Sequence, residues 1–353
     1  MTLRRITIYI KNIKWRLFLV VFVLFLIIMI NILDHKGAIS IRFIIHGLIC
    51  FPEKHFQVNL EQIKNSECPN YKGQGLLKIK LKTDPSQQLW EGFNTEKLKS
   101  LKDFVTGDRM KHGIILNTLD SAFLPCINAT HRRLMKDLIV VFNDVAKKYN
   151  VTYFLHAGSL IGSYRHHGMI PWDDDVDISV YEYHKSRLKA AFSNLPNTYK
   201  FIVTNYRWKL VYRYMPPIRE GIVWSYPFLD ILFFGLSSQS VYDYETPLIP
   251  CGLRYNICDV FPLVERPFWD LWLPAPRRAD IIINASYANI DDLCVSLSYS
   301  HATEERIARR FTVPCDTLRE YYPFVERTSI NETMKVEQLK FKNSVVHTIV
   351  VKN

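Results

Sequence analysis

Asp173, Asp174, Asp175 and Asp177 crowd four carboxylates into five positions of the stretch PWDDDVDISV, residues 171–180. Side chains alternate along an extended chain. If 173–180 is a strand, Asp173, Asp175, Asp177 and Ser179 share one face, and Val176, Ile178 and Val180 share the other. A row of carboxylates then lies above a buried apolar layer. Like charges at this spacing raise one another's pKa. A hard divalent cation removes that cost, and carboxylate oxygens are the ligands Mg²⁺ and Ca²⁺ prefer.

Three other readings compete. A solvated acidic loop needs no alternation, and this cluster is locked between Trp172 and an apolar run. A calcium EF-hand loop counted from Asp173 needs Gly at its sixth position and Glu at its twelfth. Those positions hold Ile178 and His184, which rejects it. Asp175-Val176-Asp177 also fits the D-x-D of a metal-dependent glycosyltransferase, and the tripeptide alone does not separate that reading from others.

The segment upstream discriminates. In FLHAGSLIGSYRHHGMIPWDDDVDISV, residues 154–180, Gly158-Ser159 opens a short helix after a strand. Backbone N–H groups and the helix dipole can hold a phosphate there. A phosphate cradle followed closely by a carboxylate strand is the layout of the nucleotidyltransferase fold. In detail the stretch resembles the LicD family, whose animal members include fukutin and fukutin-related protein. The resemblance rests on Gly158-Ser159-Leu160-Ile161-Gly162, on Arg165-His166, and on Ile170 through Asp177. It continues more loosely through FLDILFF, where Asp230 matches a third carboxylate, and through Phe261-Pro262-Leu263 and Leu273-Pro274-Ala275-Pro276.

The resemblance implies a metal-dependent phosphotransferase. The donor would be a CDP-linked alcohol, the acceptor a glycan, and the cofactor Mg²⁺ or Mn²⁺. Asp175, Asp177 and Asp230 are the expected metal ligands. Asp173 is a further ligand or orients one, and Asp173 or Asp230 is the candidate base. Asp174 points the other way and reads as structural. Gly158, Ser159 and Arg165 are the expected phosphate or nucleotide contacts, with a surface salt bridge as the alternative for Arg165. His166 and His167 divide evenly between phosphate contact and plain surface. Lys209 and Arg213 read as a solvated strand face, and Trp172 as packing.

The elements that must position these groups follow from periodicity. Leu134, Leu138, Val141, Phe142 and Val145 recur at helical spacing over 130–149, with Asn128 or Thr130 as cap. Strands are expected at 151–155, 199–203, 209–214 and 228–234, and helices at 160–165, 184–193 and 277–288. The expected fold class is α+β, and the resemblance implies a nucleotidyltransferase-like mixed sheet flanked by helices over 120–300. A pattern-poor C-terminal extension, 301–353, follows it.

The chain has 353 residues, 48% hydrophobic and 22% charged, which excludes a disordered protein. Leu17–Ile30 is an unbroken apolar run, preceded by Arg4, Arg5, Lys11, Lys14 and Arg16. It predicts a cytoplasmic tail over 1–16, a transmembrane anchor over 17–33, and a lumenal stem over 34–119. A cleaved signal peptide is the competing reading, with Ala38-Ile39-Ser40 as its site. The run is long for such a peptide and ends well before that site, which favours the anchor. The expected location is the Golgi or endoplasmic reticulum membrane, single-pass type II.

Of the formal net charge of +11, five basic residues lie before the anchor, leaving 40 bases against 34 acids beyond it. That mild excess suits an anionic substrate and argues against nucleic acid as a partner. Asn128, Asn150, Asn284 and Asn331 head glycosylation sequons, all on the expected lumenal side. The seven cysteines show no C-x-x-C pair. In an oxidising lumen some should pair, Cys251 with Cys258 among the candidates.

Overall fold

A computed structural model of the chain describes residues 122–352, apart from 206, 244–252, 288 and 333. The expected tail, anchor and stem lie outside the described residues, as does Cys251. No helix among the described residues is long and apolar enough to cross a membrane.

Helix α1, Ala129–Lys148, buries the stripe Met135, Leu138, Ile139, Phe142 and Ala146. Asn128 caps it by accepting from the His131 N–H, and Lys147 and Lys148 complement the dipole at its far end. Strand β1, Tyr153–Leu155, follows, then α2, Ala157–His166. Next come β2, Val176–Tyr181, and α3, Lys185–Phe192. Strands β3, Tyr199–Ile202, β4, Trp208–Tyr212, β5, Phe228–Leu236, β6, Ser240–Asp243, and β7, Arg254–Asn256, complete a seven-stranded sheet. Its main order is β1-β2-β5-β4-β3, with β6 pairing β5 and β7 pairing β6. Only β2 and β5 run parallel; the other pairs in the sheet are antiparallel. The domain is α+β, with a mixed sheet.

β5, apolar apart from Asp230 and Gly235, is buried along its whole length at the centre of the sheet. Its register places Asp230 beside Asp177 of β2 on one side and beside Lys209 of β4 on the other. The strand begins later than alternation implied. Asp173, Asp174 and Asp175 precede it in an irregular segment, so the three-carboxylate face reduces within the strand to Asp177 alone. Helix α2 begins three residues earlier than its apolar residues suggested, because Ala157 takes φ 43° and turns the chain directly out of β1.

After β7 come the short helix α4, Ile257–Val260, the hairpin of β8, Val264–Phe268, and β9, Leu271–Ala275, and helix α5, Ala279–Ser286. Strand β10, Leu293–Val295, pairs β13, Thr312–Pro314, and between them β11, Tyr299–Ser300, pairs β12, Glu305–Arg306. The end of the chain, where no pattern was expected, folds into an antiparallel sheet of β14, Phe324–Asn331, β15, Met334–Phe341, and β16, Ser344–Lys352.

That sheet is tied to the core by a buried charge. Glu337 on β15 accepts from Arg266 Nη2 of β8 at 2.7 Å and Arg327 Nε of β14 at 3.0 Å, and contacts His167 Nε2 at 3.2 Å. His167 terminates α2 with φ 51°, and its Nδ1 lies 2.8 Å from Nδ1 of His347 on β16. Burial pushes the Glu337 carboxyl up, but Arg266, His167 and Arg327 outweigh it and hold it far below the usual range. Removing the carboxylate strands buried cations. Glu337→Ala is therefore expected to lower stability by about 3–5 kcal/mol, read as the shift in a urea unfolding midpoint.

Candidate active site

Asp177 and Asp230 meet because β2 and β5 run side by side in register. Asp175 joins them from the irregular segment just before β2. Each of the three offers an oxygen, and these oxygens lie within 4.8 Å of one another. All three residues are buried, Asp230 to 1% exposure. The backbone of Asp177 is fixed from α2, since its N–H donates to Ser159 Oγ at 2.8 Å.

The charges are unevenly compensated. Asp230 is held on both oxygens, by Lys209 Nζ at 3.0 Å and Arg207 Nη1 at 3.1 Å. Burial alone would raise its pKa, but Lys209 and Arg207 bring it below the usual carboxylate value. Asp177 Oδ1 is buried and accepts no hydrogen bond among the described residues. Asp175 Oδ2 accepts none of good geometry either, with only His301 Nε2 at 3.2 Å as an ion-pair partner. Burial, reinforced by neighbouring carboxylates, raises both pKa values, that of Asp175 strongly. An orphaned buried carboxylate oxygen is rare and costly. An all-oxygen donor set with such an atom fits a hard divalent cation.

A second trio, Asp174, Asp175 and His301, also lies close enough to hold an ion. It fits poorly. Asp174 is already saturated by the N–H groups of His301 and Ala302, by Ser300 Oγ and by His301 Nδ1 at 2.8 Å. Burial opposes charge on His301, yet Asp175 and Asp174 outweigh it and push the imidazole up to about 10. A protonated imidazole has no lone pair for a metal. Asp174 is thus structural: buried, it anchors the 300–302 segment.

Asp173 stands apart from the trio. Its Oδ1 accepts from the Asp174 N–H, and its Oδ2 lies where a β-carbon on Gly158 would approach to 2.5 Å. Glycine is required at 158 because a carboxylate packs against that backbone. Burial, then Asp174 and Asp177, raise the Asp173 carboxyl to about 7.

Arg165 is not at the site. Its guanidinium is buried and turned toward the carbonyls of Ile290 and Leu293 and toward Cys315, with Trp172 and Phe324 rings alongside. It ties α2 to the segment around the Cys294–Cys315 disulfide. His166 and His167 are buried as well, His166 Nδ1 against Pro323 O at 2.7 Å, and neither is surface nor phosphate contact. Lys209 is buried rather than solvated, while Arg213 is exposed and donates to the carbonyls of Asn197 and Tyr199. Trp172 packs, 1% exposed. Cys258 is disulfide-bonded. The four sequon asparagines are all exposed.

Three contributors escaped the sequence: Arg207, Lys209 and His301. Lys209 had a usable signal, a lone cation inside an apolar run near a strand with a lone carboxylate. His301 had none, because its position depends on 127 residues of chain folding back onto Asp174.

Residues 150–278 match the family model described as LicD/FKTN/FKRP, nucleotidyltransferase domain. The lipopolysaccharide cholinephosphotransferase LicD of Haemophilus influenzae is 38% identical over 61 residues, 17% of this chain and 20% of that protein. An uncharacterized protein of Rickettsia prowazekii is 35% identical over 72 residues, 20% of this chain and 26% of its own. The chain thus spans about a quarter or less of the length of these relatives. The lincomycin-bound lincosamide antibiotic adenylyltransferase LnuA covers 48% of this chain and 92% of its own, at 18% identity and a TM-score of 0.30, too slight a likeness to argue from.

The raised carboxyls set a pH dependence. An acid whose folded pKa is raised favours folding below its unfolded value near 3.8, and that contribution is lost as pH climbs through the folded value. In EDTA, Asp177→Asn should therefore melt above the parent protein, by a margin that widens from pH 5 to pH 8. Mn²⁺ should raise the parent's melting temperature and leave the variant's nearly unchanged. Differential scanning calorimetry of both proteins checks this.

Proposed function

We propose, because residues 150–278 match the LicD/FKTN/FKRP nucleotidyltransferase-domain model, that this chain transfers a phospho-alcohol group from a CDP-linked donor to a glycan of a glycoprotein or glycolipid. The group would be phosphocholine- or ribitol-phosphate-like. The observation that supports this most is the buried trio Asp175, Asp177 and Asp230, with Asp177 Oδ1 left unpartnered.

Those three residues would hold Mg²⁺ or Mn²⁺, which when bound would neutralise charge on the donor's diphosphate. The chain's own groups supply the rest. Ser159 holds Asp177 in place through its backbone. Lys209 orients Asp230 and keeps it ionised. The acceptor hydroxyl oxygen attacks the phosphorus that carries the alcohol, the bond from that phosphorus to the CMP oxygen breaks, and CMP leaves. The hydroxyl proton needs a base. Asp230 is poorly suited because both its oxygens are already bonded to cations, so Asp173 is the better candidate. The reaction belongs in the lumen of the Golgi or endoplasmic reticulum, with the apolar N-terminal run as a type II anchor. The exposed sequons agree with that location.

Full-length protein incubated with CDP-choline or CDP-ribitol, Mn²⁺ and a glycan acceptor should release CMP in step with phosphorus entering the glycan. Asp177→Asn should slow this by about 10²–10³-fold, the usual cost of losing one charge-stabilising group. A new glycosidic bond with no phosphorus would identify a D-x-D glycosyltransferase instead. Divalent-ion binding without turnover of any donor would favour a non-catalytic glycan-binding relative.

A further inference from the structure

The phosphate contact expected of Arg165 has no occupant at that position, and a different arginine faces the carboxylates. Arg207 lies in the turn before β4. Thr204 Oγ1 accepts from the Arg207 N–H, and Trp208 Nε1 donates to Thr204 O at 3.1 Å. From there the side chain reaches Asp230 Oδ2 through Nη1 at 3.1 Å. A guanidinium carries five N–H donors. Its other donors bond to no group among the described residues, and the side chain is 43% exposed.

Asp230 does not need this arginine for neutralisation. Lys209 already supplies a buried counter-charge on its other oxygen, 7% exposed and seated 3.7 Å from the centre of the Phe228 ring. Arg207 is thus a second cation at the same carboxylate, differing from the first in being open to solvent. Its charge also acts on Asp177 and Asp175, so it stands beside the whole trio.

A diphosphate approaching three carboxylates is repelled by each. A planar fork with unused donors is the side chain best matched to phosphate oxygens. We propose that Arg207 is the protein's grip on the donor's diphosphate, anchored on Asp230 by one N–H and offering the others to the phosphate oxygens of a nucleoside diphosphate. The inference rests on the phosphotransferase reading and adds a residue to it.

The test is calorimetric binding of CDP to the full-length protein with Mn²⁺ present, for the parent, Arg207→Ala and Arg207→Lys. Arg207→Ala should weaken CDP at least about tenfold, the loss expected for charge-assisted hydrogen bonds. It should leave Mn²⁺ affinity equal or tighter, since a cation leaves the site. Arg207→Lys should keep the ion pair and the melting temperature, yet recover only part of the CDP affinity, because the fork is gone. If Arg207→Ala proves unstable, the lysine variant carries the test alone: weakened CDP at parental stability supports the inference, and parental CDP affinity overturns it. CDP bound by Arg207→Ala within twofold of the parent would also overturn it, leaving Arg207 as an ion-pair partner of Asp230. A parent protein that binds Mn²⁺ but not CDP would overturn the CDP-donor reading as well, so the two failures are distinguishable.

Discussion

Two buried carboxylates, Asp177 and Asp230, sit directly abreast in the parallel pairing of β2 and β5, and the surrounding structure is arranged around that repulsion. Like charges directly opposite on neighbouring strands destabilise a sheet. Here neither can turn to water. Lys209, the register partner of Asp230 on β4, compensates one of them from inside the sheet. Asp177 has no such partner, and its Oδ1 is left bare. The sheet thus builds a strong counter-charge on one side and leaves the other side for something positive. This asymmetry distinguishes a site from a salt bridge.

The elements around the sheet serve the same pair. Gly158 and Ser159 open α2 against β2, one by giving room to Asp173 and the other by accepting from the Asp177 N–H. On the opposite flank the 300–302 loop wraps Asp174 and brings His301 to Asp175. Of four clustered aspartates, Asp175 and Asp177 join Asp230, Asp173 packs against the helix start, and Asp174 holds a loop. Their roles differ because an irregular segment, rather than a strand, carries the first three.

The C-terminal sheet has a structural part in this. Glu337 binds Arg266, Arg327 and His167, which joins the end of α2 to β8 and to the last strands. Arg165 makes a similar tie from the last turn of α2 to the disulfide-bonded segment. The helix whose first turn supports Asp177 is therefore held at its far end by chain that lies beyond the family-matched residues.

The sequence by itself marked the apolar strands, the amphipathic first helix with Asn128 or Thr130 as its cap, and Asp175, Asp177 and Asp230 as carboxylates set in or beside apolar runs. Those are legible because burial imposes a period, and because a carboxylate inside an apolar strand is costly enough to need a reason. Gly158 and Ser159 were legible as positions, through their place at a strand-to-helix turn, but not in what they touch. Only the tertiary structure decided which charged groups face the carboxylates. Arg165 and Arg207 look alike in sequence, yet one is buried under backbone carbonyls and the other stands open beside Asp230. Lys209 and His301 reach the site through strand register and through a loop returning from far along the chain. Such contacts are long-range, and no local period or propensity encodes them.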